Sequence, residues 1–162
     1  MKKLITFFAL MVVLVSGVKA QNFLVGGGLV YGTDVERWAF DMRGDFRINQ
    51  NWAIVPNINF FFPQTNNNYK SGANAINIDG HYIHALSNEA HIYPLFGLNF
   101  STRYSKHTPT DTRDKRTELG VNLGGGFEYF FSSKVAGIFE LKYVLGDFDQ
   151  GVLGFGILYR LN

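Results

Sequence analysis

The stretch 38–49, WAFDMRGDFRIN, restricts the fold more than any other part of the chain. Taken at every second residue, it separates into two sets. Trp38, Phe40, Met42, Gly44, Phe46 and Ile48 form one, and Ala39, Asp41, Arg43, Asp45, Arg47 and Asn49 the other. A β-strand sends successive side chains to opposite faces. This strand therefore has an apolar face and an ionic face whose charges alternate in sign. Wound as a helix, the same charges would scatter around the axis and build no face. Strands of this kind call for a closed sheet, and the rest of the sequence must say which medium touches the apolar side.

The two-residue period recurs along the chain. It predicts strands over about 23–31, 38–49, 52–62, 74–84, 90–104, 117–130, 135–145 and 153–161. Pro56 cannot donate to a ladder, so a bulge is expected there. The segments 63–72 (PQTNNNYKSG) and 105–116 (SKHTPTDTRDKR) are polar and rich in turn formers, and both read as solvent-exposed loops. Eight strands of roughly 9–11 residues suit a tilted bilayer crossing. Connections after the second, fourth and sixth strands are short, and those after the third and fifth are long. Such asymmetry separates periplasmic turns from external loops. The expected fold is all-β: an eight-stranded antiparallel up-and-down transmembrane β-barrel.

The first twenty residues have a different purpose. Met1-Lys2-Lys3 precedes the apolar run 4–15, and Ser16-Gly17-Val18-Lys19-Ala20 follows. A basic start, an apolar centre and a small residue at the cut make a signal peptide, cleaved after Ala20. The run is well short of the ~20 residues of a spanning helix. The division is thus 1–20 signal and 21–162 barrel. Losing Lys2, Lys3 and Lys19 takes the formal charge from +2 to −1, so the basic balance belongs to the export signal and argues for no nucleic-acid partner. There is no cysteine, which removes disulfides, thiolate chemistry and a lipidated N-terminal cysteine. A mean hydropathy near zero is compatible with a membrane barrel, because outward and inward residues average out.

In this register the polar sets share one face. It collects Asp41, Asp45, Asp79, Glu118, Glu128 and Glu140, with Arg43, Arg47, Arg103, Lys142 and Arg160. Signs nearly balance, and an eight-stranded barrel is just wide enough for side chains to fill. A lumen charge network that plugs the barrel is expected; a selective channel would use an excess of one sign. On the other face, Trp52, Tyr129 and Tyr159 fall near the proposed periplasmic ends, and Tyr31, Trp38, Phe60, Phe62 and Tyr143 near the outer ends. Two aromatic girdles are what bilayer interfaces favour. No helical partner is available to cover this face, which argues for lipid.

Catalytic signals are weak. Gly26-Gly27-Gly28 and Gly124-Gly125-Gly126 precede no helix and make poor phosphate cradles. His81 and His84 lie three apart in a strand and face opposite sides, so they cannot chelate one metal. No serine has a credible triad, and the sequon Asn99-Phe100-Ser101 lies mid-strand. No catalytic, cofactor or metal residues are assigned. The segment 105–116 offers a surface-binding loop, with Lys106, His107, Arg113, Lys115 and Arg116 positioned for phosphates of a surface glycolipid or for an acidic partner.

Several segments carry a resemblance. They are Val18-Lys19-Ala20 followed by Gln21-Asn22-Phe23, Ile92-Tyr93-Pro94-Leu95-Phe96-Gly97-Leu98-Asn99, the stretch 119–129 (LGVNLGGGFEY) and the stretch 142–151 (KYVLGDFDQG). Together they resemble the small bacterial outer-membrane β-barrels, the porin-family or OmpA/OmpX-like barrels of Gram-negative cells. The resemblance implies the outer membrane, lipid around the barrel, insertion by the barrel-assembly machinery, and a monomer. Members typically end in an aromatic; here the last residues are Tyr159-Arg160-Leu161-Asn162, so Tyr159 or Leu161 would serve. The expected role is structural or adhesin-like, without an open pore. Two alternatives stand beside it: a narrow channel for small solutes, and a soluble lipocalin-like barrel whose apolar face would line a ligand cavity.

Overall fold

The computed structural model describes residues 22–66, 69–107 and 112–161, and within that span says nothing of the side chains of residues 22, 66, 69, 107, 112 and 113. The signal segment 1–20 lies outside the described residues. Ten strands follow one another: β1 (Asn22–Gly32), β2 (Arg37–Arg47), β3 (Trp52–Phe61), β4 (Gln64–Asn66), β5 (Tyr69–Tyr82), β6 (His84–Ala85), β7 (Ala90–His107), β8 (Thr112–Phe130), β9 (Val135–Gly146) and β10 (Gln150–Arg160).

Two of these continue a neighbour. β5 and β6 pair with β7 in one register, since His81 faces Leu95 and His84 faces Ile92. The missing rung lies at Pro94, which has no N–H to give. β4 extends β3 after a shift: Phe60 faces Asn74, yet Gln64 faces Ser71, so one side spends four residues where the other spends three. The barrel therefore has eight walls. Each wall pairs antiparallel with its chain neighbour, β5 pairs β7, and β1 pairs β10 to close the ring. Closure leaves no open edge around the barrel wall.

Three expectations are corrected. Pro56 makes no bulge, because β2 and β3 keep one register from Ala39↔Phe61 to Arg47↔Ala53 and lose only the rungs around Gly44 and Pro56. The bulge sits instead at Phe62 and Pro63, where the chain leaves the barrel wall. Segments 63–72 and 105–116 are not loops along their length. β4 pairs with the start of β5, and β7 pairs with β8 as far as His107↔Thr112. The two hairpins also pair with each other, Tyr69↔His107 to Ala73↔Arg103, and form one raised sheet above the mouth. Gln64, Thr65, Lys70, Asp114, Lys115 and Arg116 are polar and exposed there, so no apolar alternation marks the strands in sequence. The last strand likewise starts at Gln150, ahead of the apolar pattern.

Side-chain direction follows the two-residue period in every wall. Phe40, Met42, Ile54, Phe96, Leu98, Leu119, Leu141 and Ile157 are exposed on the outside, while Asp41, Asp45, Asn57, Asp79, Asn122, Glu128 and Glu140 are buried inside. The lumen is layered. Leu24, Phe130, Ala136, Ile138 and Leu158 pack in one apolar cluster, and Ala53, Val55, Ile83, Tyr93 and Leu95 in a second, both toward the short-turn end. Val30, Ala39, Phe61, Ala73, Ala75, Val144 and Val152 make a third toward the raised hairpins. Polar groups occupy the belt between. This arrangement reverses a lipocalin-like barrel: the large apolar side chains are outside, and the charged and amide side chains are inside.

Candidate functional site: the lumen belt and the outer mouth

The centre of the barrel is held by cations that reach across it. Arg43 on β2 donates from Nε to Asp41 at 2.6 Å and from an Nη to Glu140 on β9. Lys142 on β9 donates to Asp79 on β5 at 2.9 Å. Arg47 grips Asp45 through two bonds of 2.8 Å and crosses to Glu128 on β8, the opposite wall, at 2.7 Å. His91 Nδ1 lies 3.0 Å from the same Glu128. Arg43, Lys142 and their acidic partners are all nearly removed from solvent. Isolated, each would cost several kcal/mol, and pairing with added hydrogen bonds offsets this.

Asparagines join the Asp41–Arg43–Glu140 and Asp79–Lys142 groups, with Asn77 donating to Asn59 at 3.1 Å between them. Asn59 donates to Asp41 at 2.8 Å and Asn57 to Asp79 at 3.1 Å. Asn77 donates to Asn57 at 2.7 Å and receives from Asn99 at 2.7 Å and Asn122 at 2.9 Å. Asn122 also donates to Asp79 at 2.6 Å, and Ser101 to Asn99 at 2.6 Å. Tyr93 donates to Glu140 at 3.1 Å, with its ring stacked on His81 at 4.4 Å. Two glycines make room. A Cβ on Gly126 would lie 2.4 Å from the Tyr93 ring, and one on Gly97 would lie 2.3 Å from Asp79 Oδ1. In the space bounded by Val30, Arg43, Asn57, Asn59, Glu140 and Lys142, no room is left for a water molecule.

The eleven inward-facing charges named from sequence do not form one group, and Arg103 lies apart, paired with Asp34. Asp41, Arg43 and Glu140 meet, Asp79 and Lys142 meet, and Asp45, Arg47 and Glu128 meet. Glu118 sits higher, paired with Arg116. Arg160 lies at the turn end, donating to the Ser133 carbonyl at 2.9 Å and stacked 4.6 Å from the Phe130 ring. Five asparagines, Ser101, Tyr93 and His91 complete the belt and were not singled out in the sequence. Their inward register was readable, but an uncharged polar residue in a strand carries no mark of its partner.

The outer mouth is built by the β1–β2 and β9–β10 connections and the raised hairpins. Arg103 on β7 pairs with Asp34 and lies 3.9 Å over the Phe148 ring, with Arg116 at 5.7 Å from the same ring. Arg37 crosses to β5, donating to the Ser71 carbonyl at 3.1 Å and to its hydroxyl at 2.8 Å. Together they line a cleft of about 640 Å³ that includes Lys115. Of the five residues of the candidate binding loop, Lys115 and Arg116 line this cleft, Lys106 stands higher on β7, and the side chains of His107 and Arg113 lie outside the described residues.

Aromatic side chains ring both ends of the outer face. Tyr31 lies 5.3 Å from Trp38, and Trp38 lies 5.9 Å from Phe155. At the turn end Trp52 meets Tyr82 at 5.0 Å, and Tyr129 meets Phe131 at 5.5 Å. Phe60, Phe62 and Tyr143 are exposed toward the hairpin end, and Tyr159 toward the turn end.

A family model described as the outer membrane protein beta-barrel domain matches residues 6–160. The chain belongs to this family. As a member of the outer-membrane β-barrel family it has relatives among solved structures, although no curated protein sequence matches it. The attachment invasion locus protein Ail of Yersinia pestis, in complex with the heparin analogue sucrose octasulfate, superimposes with a TM-score of 0.67 at 11% identity, over 86% of this chain and 97% of that one. The N-terminal β-barrel domain of Pseudomonas aeruginosa OprF gives 0.66 at 10% identity, over 86% and 97%. Neisserial surface protein A gives 0.65 at 11%, over 85% and 95%. At such identities the likeness speaks for the fold alone. The eight-walled outer-membrane barrel is common to all of them.

Proposed function

We propose that this protein is a sealed outer-membrane barrel that works through its outer rim, as a structural or surface-interaction protein of adhesin-like type, and not as a pore. The observation that carries the reading is the lumen belt: cations cross between walls, and the space bounded by Val30, Arg43, Asn57, Asn59, Glu140 and Lys142 is too narrow for a water molecule. Apolar clusters on both sides of the belt add two further barriers to solutes. In this reading the turns at 48–51, 86–89 and 131–134 face the periplasm, and the raised hairpins stand outside. The protein is a monomer in lipid, delivered by a signal peptide cleaved after Ala20 and inserted by the barrel-assembly machinery. No step of the reading requires catalysis.

The hairpin sheet and the mouth cleft form the working surface, with Lys115 available to an anionic partner such as a surface glycolipid. The heparin analogue held by Ail is support by analogy from a barrel of the same fold. A solute-permeation assay tests the sealed state. Liposomes carrying the refolded barrel should not swell in an isosmotic pentose solution, under conditions where an open porin swells. Swelling that scales with barrel content would reject the reading in favour of a narrow channel.

A further inference from the structure

Among the described residues, one cation of the mouth cleft, Arg37, makes no ion pair. Arg37 opens β2 and points into the barrel mouth, in phase with Ala39 and Asp41. Its two terminal nitrogens are spent on the neutral Ser71, and its Nε is buried without a hydrogen-bond partner. Its neighbours are occupied elsewhere: Arg103 with Asp34, and Arg116 with Glu118. The whole lining carries Arg37, Arg103, Lys115 and Arg116 against Asp34 and Asp114. A half-buried guanidinium that has given up water for one hydroxyl and one carbonyl is poorly compensated. Planar, multi-donor and always charged, it suits an oxyanion better than it suits a serine.

We propose that the cleft is a binding site for one oxyanion group, a sulfate or phosphate ester on a saccharide-sized body, with Arg37 as its anchor. Lys115 is also among the residues that line the cleft and adds a second positive charge at its edge. Phe148, held under Arg103, provides an apolar floor for the body of the ligand. At about 640 Å³ the cleft has the volume of a small-molecule site. Ser71 holds the guanidinium in place while the site is empty, so the anion replaces a weak partner and needs no large movement. This inference rests on the reading that the hairpin end is the outward, working surface.

The test uses the full barrel refolded in nonionic detergent, titrated at constant ionic strength with sucrose octasulfate and with inorganic phosphate. A separate arm uses phosphatidylcholine vesicles in which part of the lipid is replaced by phosphatidic acid. Calorimetry gives affinity, and thermal unfolding gives the accompanying shift. Wild type should bind in at least one arm, and Arg37→Gln should lose tenfold or more in that arm. Lys134→Gln, at the opposite rim, should change nothing. A response confined to the soluble anions identifies a free saccharide ester, and one confined to the vesicles identifies a lipid headgroup. If Arg37→Gln fails to fold, Arg37→Lys, which keeps the charge and loses the fork, must bind several-fold more weakly. Binding equal to wild type in the folded Arg37 variant, or no response in any arm, overturns the site. A barrel that conducts but still binds anions through Arg37 would reject the sealed reading alone. A sealed barrel without Arg37-dependent binding would reject the site alone.

Discussion

At the scale of single residues, the lumen is a set of charges that depend on each other. Lys142 is the only cation hydrogen-bonded to Asp79 among the described residues, the other contacts to that carboxylate being Asn57 and Asn122. Removing the cation alone strands a fully buried charge. Lys142→Met should therefore destabilise the barrel by about 3–5 kcal/mol, read from denaturant unfolding in micelles. Adding Asp79→Asn removes the stranded charge and keeps an acceptor for the asparagines, so the double variant should recover part of the loss. A double variant as unstable as the single one would show that the pair contributes through packing and not through charge. Space is as constrained as charge. Gly126→Ala puts a methyl against the Tyr93 ring, which His81 prevents from tilting away. A loss of about 1–3 kcal/mol is expected, relieved when Tyr93 is shortened to Leu. What the sequence disclosed of this site follows the same division. Asp41, Arg43, Asp45 and Arg47 announce an ionic face because charges of alternating sign at two-residue spacing have few other uses. Asn57, Asn59, Asn77, Asn99 and Asn122 announce nothing, because asparagine serves equally in turns and on wet strands. Their connection exists only once four walls are brought together.

At the scale of elements, the barrel wall and the raised hairpins obey different solvents. Phe96 lies outside on β7, between Gly80 and Leu123 on the neighbouring strands and edge-on to Trp52 at 6.4 Å. Phe96→Arg should cost about 2–4 kcal/mol if it lies near the bilayer midplane, less toward an interface. Lys115→Ala, on the raised part of β8, should stay within about 0.5 kcal/mol. Equal effects at the two positions would contradict the assignment of lipid to one and water to the other. Pro56 offers a third case. It costs β3 its rungs with β2 around Gly44 without shifting the register, so Pro56→Val can restore a ladder bond and should stabilise by up to about 1 kcal/mol. Unfolding in micelles reads this directly, and a loss of stability would mean that the proline is needed for the local twist. The walls were legible from sequence because burial of one face imposes strict alternation. Their limits were not. In 105–107 and 112–116 the strands continue beyond the apolar pattern, where Lys, Asp, Thr and Arg pair as well as any apolar residue. Composition alone therefore reads as a loop what is a hairpin.

At the scale of the whole molecule, one sheet closes on itself and settles two problems together. It leaves no unpaired wall edge in the bilayer, and it brings six strands' worth of polar side chains to a common centre where ion pairs and hydrogen bonds link them. In the proposed reading, a lumen filled in this way resists solutes and leaves the rim as the surface free to act. Single-channel recording in planar bilayers tests this most directly. Only barrel that shifts in gel mobility on boiling, and is therefore folded, should be reconstituted. The account predicts a silent baseline from wild type at every applied voltage, with conductance steps emerging only when the cross-lumen cations Arg43 and Lys142 are both replaced by alanine. Reproducible steps from folded wild-type monomers would contradict it and make the lumen a channel.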